Sequence, residues 1–269
     1  MLKIFIITIL LQCFLLCDVF AVETLRCIVL DVGEGQSVLL GRGEKGVLVD
    51  TGHFGRSFQT IKSIRDHGVT QIDTVILTHL HSDHSSGLFT IMNEFPEATL
   101  YESGHRIEFD PVMDSYRWVV EAIDADYWPV KTLRQGDAIS WEGVRMKVLW
   151  PVEPEGSNLN SHSLVLAIEY GSNIILIMGD TSKEIESLLL AQGLIPENIN
   201  VLIVGHHGAA DATGSDLLGV TRPENSVISI NNNNVRGYPD KNVIKELEKI
   251  GSKVHTTFED GDVAFTFEK

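Results

Sequence analysis

Three imidazoles and a carboxylate crowd into residues 79–84, directly behind the apolar, β-branched run of residues 74–78. His79 and His81 are two apart, so in an extended chain they point the same way. Asp83 and His84 follow at the start of a helix and can turn toward a second point nearby. Imidazole nitrogen and carboxylate oxygen are ligands for zinc, manganese or iron. Such a site needs a rigid support, and the strand before it supplies one. A polar loop with surface histidines is the plain alternative, but it does not explain four ligand-type side chains behind one strand. His79, His81, Asp83 and His84 are therefore read as metal ligands.

A site this rich should draw ligands from elsewhere in the chain. The apolar run "ILIMGD" ends in Asp180. A carboxylate at that place is costly unless solvated, paired or metal-bound. It could bridge two ions, or simply cap the helix that follows. "VLIVGHHG" ends in the same way, on His206 and His207, and His162 opens another strand in "NSHSLVL". His53, His67, His105 and His255 lack such settings and read as surface or core residues, with His53 close enough to "VLVDTG" to be a pocket-wall candidate.

The elements that must position these groups are legible as short apolar runs, each ended by Gly, Asp or His: "RCIVLDVG", "QSVLLGRG", "GVLVDTG" and "TVILTH". They read as strands joined by tight turns. Residues 57–66 and 85–95 read as helices on one face of that sheet. A less regular middle, residues 101–131, carries several aromatics. Two hairpins follow, turning at Glu142-Gly143 and Gly171-Ser172. Residues 181–192 and 241–250 read as helices, "VLIV" and "SVISI" as strands, and "KVHTTFEDGDVAFTFE" as a closing hairpin. Strands and helices in both halves, with hairpins among them, predict an α/β fold: an αββα sandwich of two mixed β-sheets with helices outside.

Residues 1–21 are set apart. Lys3 precedes an apolar stretch that closes on Val19-Phe20-Ala21, the pattern of a secretory signal cleaved after Ala21. The apolar run is shorter than the roughly 20 residues a membrane span needs, and Gln12 interrupts it. The expectation is a periplasmic or secreted protein, without stable membrane insertion of the mature chain, whose single domain covers residues 22–269. Cys13 and Cys17 leave with the signal, so Cys27 alone remains. One cysteine makes no internal disulfide, and its strand setting reads as a small core hydrophobe. The chain carries 37 acidic against 21 basic residues, a net charge of −16. That excludes a broad electropositive footprint for duplex nucleic acid.

"VDTG", "THLHSDH", "MGD" and "HHG", in that order, resemble the metallo-β-lactamase superfamily. Within it, "LDVGEGQSVLL", "IDTVILTHLHSDHSSGL", "LRQGDAISWEGVRMKVLWP", "SHSLVLAIEYGSNIILIMGD" and "SVISINNNNVRGYPDKNVIKELEKIGSKVHTTFEDG" resemble the soluble hydrolase domain of the DNA-uptake channel protein ComEC. The pieces cover nearly all of residues 22–269. The resemblance implies two divalent metal ions, zinc first and manganese as the alternative. It places His79 and His81 on one ion and Asp83, His84 and His206 on the other, with Asp180 bridging. His162 falls near the superfamily's third histidine, though its spacing to Ser163 differs from the usual motif. Asp50 would accept hydrogen bonds from ligand histidines or from the turn beneath them. Three departures stand out. "GEGQS" replaces "GQGDA", Ala209 replaces a serine, and Tyr238 replaces a histidine in "GHP". A phenol can donate a hydrogen bond to an oxyanion but is a poor acid at neutral pH.

The implied chemistry is two-metal hydrolysis, with Asp83, His84 and Tyr238 as the catalytic candidates. A phosphoester is the expected substrate: single-stranded DNA, oligonucleotides or smaller phosphoesters, with a possible place beside a DNA-uptake apparatus. Arg222, Arg236 and Lys241 are candidates for a local phosphate clamp. Tyr116, Trp118, Tyr127 and Trp128 either stack bases or, the preferred reading, pack the sandwich edge. Two rival functions are a β-lactam or lactone hydrolase and a metal-bearing binding protein without turnover.

Overall fold

The computed structural model describes residues 24–106, 117–153, 158–232 and 234–269. The expected signal at residues 1–21 and Tyr116 lie outside them. Two seven-stranded sheets form the centre. The first is ordered β14-β1-β2-β3-β4-β5-β6, with β1 Leu25–Val29, β2 Val38–Arg42, β3 Lys45–Val49, β4 Gln71–Ile76, β5 Thr99–Glu102, β6 Val130–Thr132 and β14 Val263–Phe267. The second is ordered β13-β12-β11-β10-β9-β8-β7, with β7 Ala138–Trp141, β8 Val144–Trp150, β9 Val165–Tyr170, β10 Asn173–Ile177, β11 Val201–Ile203, β12 Asn225–Ile228 and β13 Lys253–Thr256. Each mixes parallel and antiparallel pairs: β2–β3 and β9–β10 are antiparallel, β3–β4 and β10–β11 parallel.

Period-2 alternation sorts the side chains into layers. Cys27 and Val29 face Leu166, Ile168 and Ile177 between the sheets. Ile28 and Leu30, one residue out of phase, face α1 Ser57–Asp66, α3 Leu88–Glu94 and α4 Arg117–Asp124, meeting Ile64, Ile91 and Val119. Leu176 and Leu202 face α5 Lys183–Ala191, α6 Ser215–Thr221 and α7 Lys241–Lys249, through Leu189, Leu217 and Leu247. The result is the expected αββα sandwich. Each fully buried aliphatic side chain contributes about 1.5–3 kcal/mol, and all three apolar layers are continuous. Cys27 is wholly buried among them, and that burial pushes its thiol up to about 12.

Two local expectations are corrected. The C-terminal segment is not a hairpin. β13 pairs parallel with β12 in the second sheet, whereas β14 pairs antiparallel with β1 in the first. A helical turn, α8 Thr257–Asp260, carries the chain across, anchored where Thr257 Oγ1 bonds both the N–H and the carbonyl of Ile230. Residues 85–95 do not form one helix. A single turn, α2 Ser82–Ser85, ends before Gly87, where a Cβ would stand 2.5 Å from the Thr51 carbonyl oxygen. No helix among the described residues is long and apolar enough to cross a membrane.

Candidate metal centre

β4 is buried at its end, and the chain leaves it through Leu77 and Thr78 into the histidine-rich segment. Asp50 underlies that exit. It is fully buried and holds φ +62° just past β3. Its carboxylate accepts from the Thr78 N–H at 2.7 Å, the Thr78 hydroxyl at 2.8 Å, Gln36 Nε2 at 2.9 Å and His84 Nδ1 at 2.8 Å. Gln36 belongs to the departing "GEGQS" segment, so that departure supplies a partner for Asp50. In the same segment Gly35 has φ +119°, and a Cβ there would stand 2.0 Å from the Asp83 carbonyl oxygen. Only glycine lets this loop lie so close to the Asp83 backbone.

The second sheet adds one residue at a time. Asp180 follows β10 and is fixed by its N–H donating to Ser163 Oγ at 3.1 Å. Gly179 before it has φ +54°, and a Cβ there would stand 2.8 Å from Ser163 Cβ. After β11, His206 and His207 take φ +47° and +53°. That left-handed pair turns His207 inward.

Two clusters result: His79, His84 and Asp180, and Asp83, His84 and His207. His84 Nε2 lies 3.2 Å from Asp180 Oδ1 and 3.2 Å from His207 Nε2. His79 Nε2 lies 3.7 Å from Asp180 Oδ2 and 3.0 Å from His81 Nδ1. His207 Nε2 lies 3.6 Å from Asp83 Oδ2. The outward nitrogens fix the tautomers. His84 Nδ1 donates to Asp50, and His207 Nδ1 donates to the Ser229 carbonyl at 2.8 Å. Both Nε2 atoms thus face the two carboxylates, an arrangement that calls for positive charge between them.

The electrostatics agree. Burial by itself pushes Asp83 up, but His207 and His84 outweigh it and hold the carboxyl well below the usual carboxylate range. Burial is likewise outweighed at Asp180, chiefly by His84 and His207. His84 and His207 are raised despite burial, Asp180 acting most strongly on each. His79 and His81 are lowered by burial and stay neutral ring donors. Asp83 Oδ2, Asp180 Oδ1 and Asn160 Oδ1 are buried and accept no hydrogen bond from any described residue. Metal ions would supply the partners those oxygens lack, so the residues fit the group.

The placements of His206 and His162 differ from expectation. His207, not His206, joins the second cluster. His206 turns its Nδ1 to Asp211 at 3.0 Å and its Nε2 to Asn160 Nδ2 at 3.3 Å, staying 4.0 Å from Asp180. His162 sits in neither cluster. It stacks on His105 with ring centroids 4.0 Å apart and its Nδ1 donates to the Asn158 carbonyl. Asn160, two residues earlier, faces the centre instead, between His81 and His206. Tyr238 stands on the rim, its ring 5.5 Å from that of His206. Burial, then Asp211, raises its phenol, which therefore keeps its proton.

Of the clamp candidates, Arg236 reaches the rim, its Nη1 3.6 Å from Asp83 Oδ2 and its Nε 3.4 Å from Glu34. Arg222 caps α6 and bonds the Gly219 carbonyl, and Lys241 opens α7. Arg56, which the sequence did not single out, lines the same cleft of about 350 Å³ as Arg236 and Asp83. Trp128 packs in the core as preferred, whereas Trp118 and Tyr127 are exposed.

A family model described as "Metallo-beta-lactamase superfamily" matches residues 30–230. Recombination protein 2 of Haemophilus influenzae is 29% identical over 243 residues, covering 88% of this chain and 28% of that protein. ComE operon protein 3 of Bacillus subtilis is 25% identical, with coverage of 88% and 32%. Competence protein ComA of Neisseria gonorrhoeae is 28% identical, with coverage of 87% and 31%. The chain thus spans about a third of the length of these curated relatives. In fold it is similar to the metallo-β-lactamase fold protein YhfI from Bacillus subtilis (TM-score 0.60, 14% identity, 91% of this chain and 100% of that one). A diphosphatase from the PhnP family is also similar (TM-score 0.52, 14% identity, 91% and 100%).

Proposed function

We propose that this chain, which belongs to the metallo-β-lactamase superfamily and is a metal-dependent hydrolase, cleaves phosphodiesters in single-stranded DNA, oligonucleotides or related phosphoesters. The observation that carries the reading is the pair of clusters meeting at His84 and Asp180. His79, His81 and Asp180, with Asn160 Oδ1, would hold one ion. Asp83, His84 and His207 would hold the other, with Asp180 between. Zinc is the proposed metal and manganese the alternative. When bound, two such ions make water a nucleophile at neutral pH and stabilise charge on the phosphoryl oxygens.

The chain's own residues do the rest. Asp83, ionised and partly open to the cleft, accepts a hydrogen bond from the attacking water and orients it. His84 is locked by Asp50, so the centre keeps its geometry as charge develops. The protonated Tyr238 hydroxyl donates a hydrogen bond to the leaving oxygen. The competence relatives support a nucleic-acid substrate. The net charge of −16 favours short or single strands over duplex, because affinity for long polyanions rests on Lys and Arg.

Purified protein should be offered a single-stranded oligonucleotide, bis-p-nitrophenyl phosphate and a chromogenic cephalosporin, each with zinc and with manganese. Cleavage of the two phosphodiesters is expected. Cleavage of the cephalosporin alone would overturn the substrate. We also propose export through residues 1–21 and an association with DNA uptake. A tagged full chain should accumulate outside the cytoplasm, shortened by the signal; an unshortened cytoplasmic product would sink the export reading.

A further inference from the structure

One short turn beside the metal centre faces two ways. Phe54–Arg56 is a 3₁₀ turn held at three points. His53 Nδ1 accepts the Gly55 N–H at 3.2 Å, the Phe54 N–H donates to Ser86 Oγ at 2.9 Å, and the Ser57 hydroxyl donates to the Phe54 carbonyl at 2.7 Å. Ser86 follows α2, the turn that carries Asp83 and His84, so this turn is tied to the segment that holds the centre.

On one side Arg56 lies over Gly33, where even a Cβ would stand 3.4 Å from its Nε, and lines the cleft with Arg236 and Asp83. Its guanidinium makes no hydrogen bond or ion pair with any described residue. In so acidic a chain, two guanidinium groups lining one cleft at the rim of a carboxylate-rich centre, Arg236 pairing there with Glu34 and Asp83, form a local anion seat. On the other side Phe54 opens onto an apolar hollow of about 470 Å³ with Phe89 and Trp118. Phe54 is 62% exposed and Trp118 66%. Exposed aromatics grouped in this way mark a contact surface. The His53 ring, 4.8 Å from that of Phe54, joins the two sides.

We propose that this turn seats a single strand: Arg56 and Arg236 hold the phosphodiester at the Asp83 rim, and Phe54 with Trp118 stacks the adjoining base. The occupant is single-stranded nucleic acid because one site offers an anion seat and an aromatic platform side by side. A duplex keeps its bases stacked on one another and away from such a platform. The assignment rests on the phosphodiesterase reading and adds a base-dependent specificity to it.

The test is fluorescence anisotropy with the full, metal-loaded chain. The probes are a non-hydrolysable phosphorothioate oligothymidylate and an abasic oligomer of equal length. The wild type should prefer the base-bearing strand. Phe54→Ala with Trp118→Ala should cut that preference roughly 10–100-fold, from base–aromatic stacking, and Trp118→Tyr should restore most of it. Arg56→Ala should lower the slope of log affinity against log salt by about 0.7. Equal binding of both strands by the wild type, or an unchanged preference in the double variant, would overturn the platform. An unchanged salt slope would overturn the seat. Binding needs no turnover, so a protein that shows these effects but cleaves no phosphodiester would refute the catalytic reading alone.

Discussion

The two sides of the centre are aimed by different means. On the first sheet, four ligand-type residues arrive in one six-residue stretch, tied from below by the buried Asp50 carboxylate and its four donors. On the second sheet, Asp180 and His207 arrive singly, each just past its own strand, and backbone conformation aims them: φ +54° at Gly179, +47° at His206 and +53° at His207. One side spends hydrogen bonds on rigidity. The other holds strained dihedrals at or beside the ligands themselves, of order 1–3 kcal/mol for each non-glycine residue, whereas on the first side the left-handed residue, Asp50 at φ +62°, lies in the support beneath them. Side-chain scaffolds leave a sequence signature and backbone strain does not, so the two sides are unequally readable.

The comparison can be broken or sharpened by substitution. The largest effect is expected from Asp180→Ala, which touches both clusters. Metal content should fall from two ions per chain to one or none, and turnover by more than the about 10–100-fold that losing a supporting residue costs. Full occupancy by elemental analysis would remove Asp180 from between the ions. His207→Ala should lose one ion and keep the other; titration showing two intact sites would return the role to His206. Asp50→Asn keeps the shape but withdraws the charge from His84, and should weaken metal affinity by about 10–100-fold. An unaltered affinity would mean that the scaffold is not what steadies the first side. Gly179→Ala should cost about 1–3 kcal/mol in denaturant unfolding, since its Cβ meets Ser163 at a positive φ. A wild-type midpoint would show that the second side is not aimed by strain. The smallest effect belongs to His206→Ala: both ions retained, with affinity within tenfold.

Much of the first side was legible. Three histidines and an aspartate behind an apolar strand admit few other readings, and the apolar runs marked most strands of both sheets; β5 and β6 escape because they lie at the edges of residues 101–131, whose pattern reads as irregular. The misplacements have local causes. His206 and His207 both end one apolar run, and only the left-handed dihedrals decide which turns inward. Residues Asn160–His162 form a 3₁₀ turn. At three residues per turn, side chains two apart point about 120° away from one another. Asn160 therefore faces the ions' place while His162 stacks on His105. Arg56 carries no local signal, since Arg236, which lines the same cleft, is remote in sequence. The C-terminal segment departs from a hairpin because Gly261 and Asp262 have the residue types of a hairpin turn while the strands on either side pair in different sheets.

The pairing of β1 with β14 has a mechanical corollary. Leu25 lies opposite Phe267 and Val29 opposite Val263. The path into the domain and the path out of it thus share one pole, and Gly33 and Glu34 beside the cleft lie at the other. A strand's length, roughly 17 Å, separates the two poles. A leash or a carrier attached at either path would pull on the far end of one hydrogen-bonded pair. It would leave the cleft at the far pole uncovered. The body is portable: it can be mounted from behind without covering the metal centre.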